Sequence, residues 1–170
     1  RFVLAPDSCG VTLLTGLLAG LLGWALLGLI GLSRRGFGRI ASLPLRLGLG
    51  GLLVGGLAIF STQILGNGYE VIVRVMAGDF LLPVLLMLLL LKMLATAVSV
   101  GSSAVGGLFT PALLTGALAG EALELVAAAL GLPVGNAEVF AAIGMGAVLA
   151  AVSQAPLMAM LMVLEMTLNS

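Results

Sequence analysis

Residues 101–120 read GSSAVGGLFTPALLTGALAG. Two serines, a Gly-Gly pair and a proline interrupt an apolar chain here, yet no charged residue occurs from Met93 to Gly120. Polar surface loops carry charge. Turn chemistry without it signals backbone that must be satisfied where water is scarce, and how that is done decides the fold.

The surroundings of this stretch are those of a membrane protein. Of 170 residues, 61% are hydrophobic and 8% charged, against about 25% charged in ordinary soluble domains. Charge-free runs such as Ser8 to Ser33 and Val139 to Leu164 exceed the ~20 residues that one helix needs to cross a bilayer. The formal net charge is zero, so no basic surface points to nucleic acid. Without histidine, and with Cys9 as the one cysteine, the chain excludes a Ser-His triad, His-ligated metal and an intrachain disulfide of its own. It reads as a non-enzyme. Arg1 in place of an initiator Met, and an end at Ser170 directly after an apolar helix, read as part of a longer chain.

Outward from the opening stretch, the pattern predicts helices over 12–32, 47–63, 81–100, 109–130, 137–152 and 156–167, with a short mixed segment over 70–78. Gly16, Gly20, Gly23 and Gly28 suit close helix packing in lipid, as do Gly51 and Gly55. Arg34, Arg35, Arg39 and Arg46 fall in one connection, 33–46, which the charge bias places in the cytoplasm. The second helix is expected to emerge at the turn GNGYE, 66–70. Lys92 lies inside the third span, where an ionisable group snorkels, pairs or faces a cavity; packing or pairing is the reading taken here. The last two helices are too short to span ~30 Å of hydrocarbon, and their Ser153-Gln154-Ala155-Pro156 break marks the broken helices of a transporter or channel.

The helix after the opening motif carries the candidate chemistry. Pro111 reads as its first residue and Thr110 as its cap. If Glu121 and Glu124 mark the water interface, ten residues place Pro111 about 15 Å deeper, near the midplane. Irregular backbone at that depth must be buried in protein or line a cavity. A helix N-terminus there offers free N–H groups and the positive end of a dipole to an anion. Gly106 and Gly107 allow close approach to the main chain. Binding by backbone, without Lys or Arg, keeps the site weak enough to conduct. Two other readings fit the same residues: a re-entrant transporter of an unrelated kind that binds an anionic solute, and a scaffold in which the glycine turn only packs.

The sequence Gly107-Leu108-Phe109-Thr110-Pro111, the helix around Gly144-Met145-Gly146-Ala147, the Ala155-Pro156 break and the ending Leu164-Glu165-Met166-Thr167 together resemble the CLC family of chloride channels and chloride/proton exchangers, in order and in spacing. The likeness covers nearly the whole chain. It implies an all-α integral membrane fold of broken, re-entrant helices, of which this chain is the second inverted repeat within a partial transmembrane domain over 1–170. It implies a homodimer in lipid, with chloride as the transported ligand and no further cofactor. By position, the anion-binding segment is Gly107, Leu108, Phe109, Thr110 and Pro111, with the amides of Leu108 and Phe109 foremost and the Phe109 ring lining the path. The family's first-half motifs, including the gating glutamate, have no counterpart in the sequence, so channel and exchanger both stay open. Glu121, Glu124 and Glu138 are read as interfacial and Glu165 as pinning helix ends. Met158, Met160, Met162 and Met166 form an adaptable packing surface, part of it toward a second subunit.

Overall fold

The computed structural model describes residues 9–59, 61, 68–104, 106–132, 134 and 136–168. Seven helices are formed among them: α1 (Cys9–Gly38), α2 (Leu43–Ala58), α3 (Tyr69–Met76), α4 (Leu82–Gly101), α5 (Phe109–Ala129), α6 (Ala137–Ser153) and α7 (Pro156–Leu168). No strand occurs among the described residues. The fold is all-α, as leucine- and alanine-rich runs require when every backbone group must bond within its own segment. By length and composition α1, α4 and α5 can each cross a membrane, whereas α2, α6 and α7 are apolar but shorter.

Helix starts and stops follow local chemistry. Pro44 and Pro83 stand in the first turns of α2 and α4, and Pro156 opens α7, where the missing N–H costs no helical bond. Three helices end in the same six-residue cap, with the C″ amide bonded back to C3 and the C′ amide to C2. After α3 these are Asp79 to Arg74 (3.2 Å) and Gly78 to Val75 (3.0 Å), and after α5 they are Leu132 to Ala127 and Gly131 to Ala128, both 3.0 Å. Gly78 and Gly131 take the left-handed conformation that the cap demands. The cap of α4 uses Ser103 there instead, at φ 69°. The α6–α7 break is built by Ser153, whose hydroxyl donates to Leu149 O at 2.6 Å and accepts from Ala155 N–H at 3.3 Å.

The core lies around α5. From Ala112 to Ala122 every residue of that helix is buried, enclosed by α6, α4, α3 and α1. Gly116, Gly120 and Gly144 let α5 and α6 meet main chain to main chain: an added Cβ at Gly120 would come 2.9 Å from Ala141 Cα, and one at Gly144 3.0 Å from Gly120 Cα. Leu13, Leu17, Leu21 and Trp24 of α1, and Leu52 of α2, are exposed. α3 is amphipathic, burying Val71, Ile72 and Val75, and Arg74 lies 4.0 Å from Asp79 and 4.7 Å from the centre of the Phe80 ring.

Several boundaries differ from the sequence reading. The 33–46 connection contracts to 39–42, because Arg34 and Arg35 continue α1 and Arg46 belongs to the first turns of α2. Arginine is a good helix former, and Arg35 in the last turn of α1 complements the negative end of that helix dipole. α2 starts at Leu43 and ends at Ala58, and Ser61 is not helical; Thr62, Gln63 and the Gly66–Asn67 turn lie outside the described residues, as do the side chains of Cys9 and Met166. The short segment begins one residue early, as α3, behind a left-handed Gly68.

Candidate functional site

The turn between α4 and α5 is fixed from its root. Ser102 is buried, its amide bonded to Val98 O at 2.9 Å and its hydroxyl donating to Ser99 O at 2.9 Å. Ser103 then swings the chain through the left-handed region while its amide reaches Val100 O at 3.3 Å, and Ala104 N–H closes on Ser99 O at 3.2 Å. Two neighbouring helices clamp this root. A Cβ on Gly50 of α2 would come within 2.5 Å of Ser102 Cβ, and one on Gly101 within 2.6 Å of Ser33 Cβ of α1. Only small residues permit these approaches.

Past the root, Gly106 and Gly107 are exposed, and an added Cβ at either meets nothing within 4 Å. α5 begins at Phe109 behind Leu108, and its first helical bond runs from Ala112 N–H to Leu108 O at 3.0 Å. Among the described residues, Leu108, Phe109 and Thr110 therefore contribute the amides that a helix start leaves without intrahelical partners. Thr110 is not the cap and Pro111 is not the first helical residue. Both stand inside the first turn, where proline is still tolerated because its amide would be unpaired in any case. Thr115 donates to Pro111 O at 2.7 Å and ties the turn to the buried length of α5. Phe109 is 43% exposed, while Leu108, Thr110 and Pro111 are half-buried.

A cavity of about 590 Å³ opens against this turn. Gly106, Leu108, Ser103 and Ala104 line it on one side, and Arg34 of α1 and Arg46 of α2 on another. The fold thus brings two arginines to a cavity beside a turn that holds no charge of its own. Arg34 and Arg46 were legible in the sequence only as a marker of membrane orientation. The signal that joins them to the turn is steric: the clamps at Gly101 and Gly50 bring the ends of α1 and α2 to the end of α4.

Glu121 is enclosed by protein: it is 1% exposed, faces the backbone N–H of Phe80, which donates to it, and leaves Oε2 without a partner among the described residues. Packing of α5 against the α3–α4 corner surrounds it. The turn shares a cavity with the charged ends of α1 and α2, one of the two settings in which irregular backbone is tolerated at membrane depth. Glu124 and Glu138 are half-buried. Glu138 stands in the first turn of α6, where a carboxylate complements the dipole. Glu165 is exposed near the end of α7. Lys92 is 4% exposed within α4, packed into the protein, and its carbonyl accepts from Thr96 Oγ1 at 2.7 Å.

The sequence profile of the family described as Voltage gated chloride channel matches residues 2–170. A ClcB-like protein of Ralstonia nicotianae is 46% identical over 161 residues, which cover 91% of this chain and 36% of that protein. The voltage-gated ClC-type chloride channel ClcB of Escherichia coli O81 is 39% identical over 158 residues, 90% of this chain and 37% of that protein. The chain spans just over a third of the length of these curated relatives.

Proposed function

This chain belongs to the voltage-gated chloride channel family, and from that premise we propose that it supplies half of an anion pathway through which chloride or a similar small anion crosses a membrane. The observation that carries the proposal is the start of α5, where the first-turn amides follow an open Gly106-Gly107 pair and a cavity lies alongside. A desolvated anion is held by N–H groups at the positive end of a helix dipole. Leu108 and Phe109 supply those amides, Gly107 the approach, the Phe109 ring one wall, and Thr110 and Pro111 the rigid first turn. No lysine or arginine belongs to the segment, so the anion is bound weakly enough to move on.

In this reading residues 1–170 are the second inverted repeat of a membrane domain, and the first repeat completes the site. The end of α1 and the start of α2, with Arg34, Arg35, Arg39 and Arg46, face the cytoplasm. The exposed Leu157, Met158, Met160 and Leu161 of α7 support contact with a second copy in a homodimer. Transport, not catalysis, is the activity proposed.

The test is chloride and proton flux from proteoliposomes holding the complete protein. Chloride release without protons defines a channel, and release coupled to protons an exchanger. A folded protein that releases no anion overturns the proposal.

A further inference from the structure

We propose that the cavity between Arg34, Arg46 and the turn is a second anion site, one that takes a phosphate group and, when filled, obstructs the approach of small anions to Gly106 and Leu108. The role in obstruction rests on the anion-pathway reading above; the binding does not.

Three observations carry it. First, two arginines line one cavity with no carboxylate among its described lining residues, and the ion pair formed among the described residues, Arg74 with Asp79, lies elsewhere. Like charges around one concavity focus a field that collects counter-ions. Second, Arg46, which lines the cavity, is tethered: its Nε donates to the Ile40 carbonyl, which restrains the guanidinium. A planar fork held in place matches the paired oxygens of a phosphate better than a spherical halide. Third, about 590 Å³ is far more room than one halide needs, while two separated positive charges suit a polyatomic anion that carries more than one. The shared chemistry is a phosphate group, whether free in solution or on the headgroup of an anionic lipid.

The experiment titrates inorganic phosphate into the complete protein at constant ionic strength, in vesicles of phosphatidylcholine alone and of phosphatidylcholine with phosphatidylglycerol. Saturable binding is expected in phosphatidylcholine, weakened about tenfold by Arg34→Gln or Arg46→Gln, the loss of one charge-assisted pair, and unchanged by Arg39→Gln, outside the cavity. Phosphate binding in both vesicles identifies the free ion as the occupant; binding abolished by phosphatidylglycerol identifies the lipid headgroup. In parallel, phosphate should slow chloride flux in the wild type and not in the Arg34→Gln/Arg46→Gln variant. Equal phosphate affinity in that double variant and the wild type overturns the proposal, as does chloride binding there as tightly as phosphate. Because binding is read directly, a wild type that binds phosphate but passes no chloride sinks the transport reading alone. One that passes chloride but does not bind phosphate sinks this one alone.

Discussion

Gly116 of α5 and Gly144 of α6 lie backbone against backbone, such that a Cβ on either would run into the carbonyl oxygen of the other. In lipid, where apolar surface gains nothing by leaving the solvent, such close contact is what holds helices together. α5 carries the turn at its head, so this crossing sets where the turn can be.

Gly144→Val should therefore be costly. Neither backbone can retreat without unpacking the core, and overpacking of this kind costs roughly 1–3 kcal/mol. A lowered midpoint in thermal unfolding of the purified protein checks it. Gly146→Val on the same helix, where added atoms meet open space, should change the midpoint little.

Ser103 holds a left-handed conformation that its two counterpart caps give to Gly78 and Gly131. A Cβ in that region costs about 1–2 kcal/mol. Ser103→Gly should raise stability by about 1 kcal/mol, offset in part by the greater freedom of glycine in the unfolded chain. Ser103→Val should lower it, and equilibrium unfolding in detergent resolves both.

Glu121 accepts from Phe80 N–H inside the core. Glu121→Gln keeps an acceptor for that amide and removes a buried carboxylate, so stability should stay level or rise. Glu121→Ala strands the Phe80 amide and leaves a void, a loss of roughly 1–3 kcal/mol. Hydrogen exchange at the α3–α4 corner should quicken in the second variant only.

At Gly107 stability and function should separate. An added Cβ there meets nothing within 4 Å, so Gly107→Val should insert and fold like the wild type. A valine beside the Leu108 and Phe109 amides bars close approach of an ion, and chloride flux should fall by about tenfold or more, the loss of one well-placed contact. Unchanged rate and selectivity would reduce the segment to a connector.

Most of the helical plan was readable, because proline placement and apolar run length act locally: α4 to α7 start or stop within a residue or two of the sequence reading. What failed was what depends on tertiary contact. Nothing near Glu121 in sequence announces the Phe80 amide that faces it. Arg34 and Arg35 looked like loop because charge ended the apolar run, although helix propensity carried α1 onward. The turn and the start of α5 at Phe109 were legible from residue types. Their neighbours Arg34 and Arg46 were not, since only the fit of Ser33 on Gly101 and of Gly50 on Ser102 brings three helix ends together.

That fit has a bearing on ion discrimination. Amides can distinguish one halide from another only if they stay put while the ion is exchanged, and a loop free to relax would remould itself around whichever ion arrived. The turn here is gripped at its base by Ser33 of α1 and Gly50 of α2, neither of which lines the cavity. If the turn holds the anion as proposed, enlarging Gly50 or Ser33 should blur the choice among anions before it stops their passage.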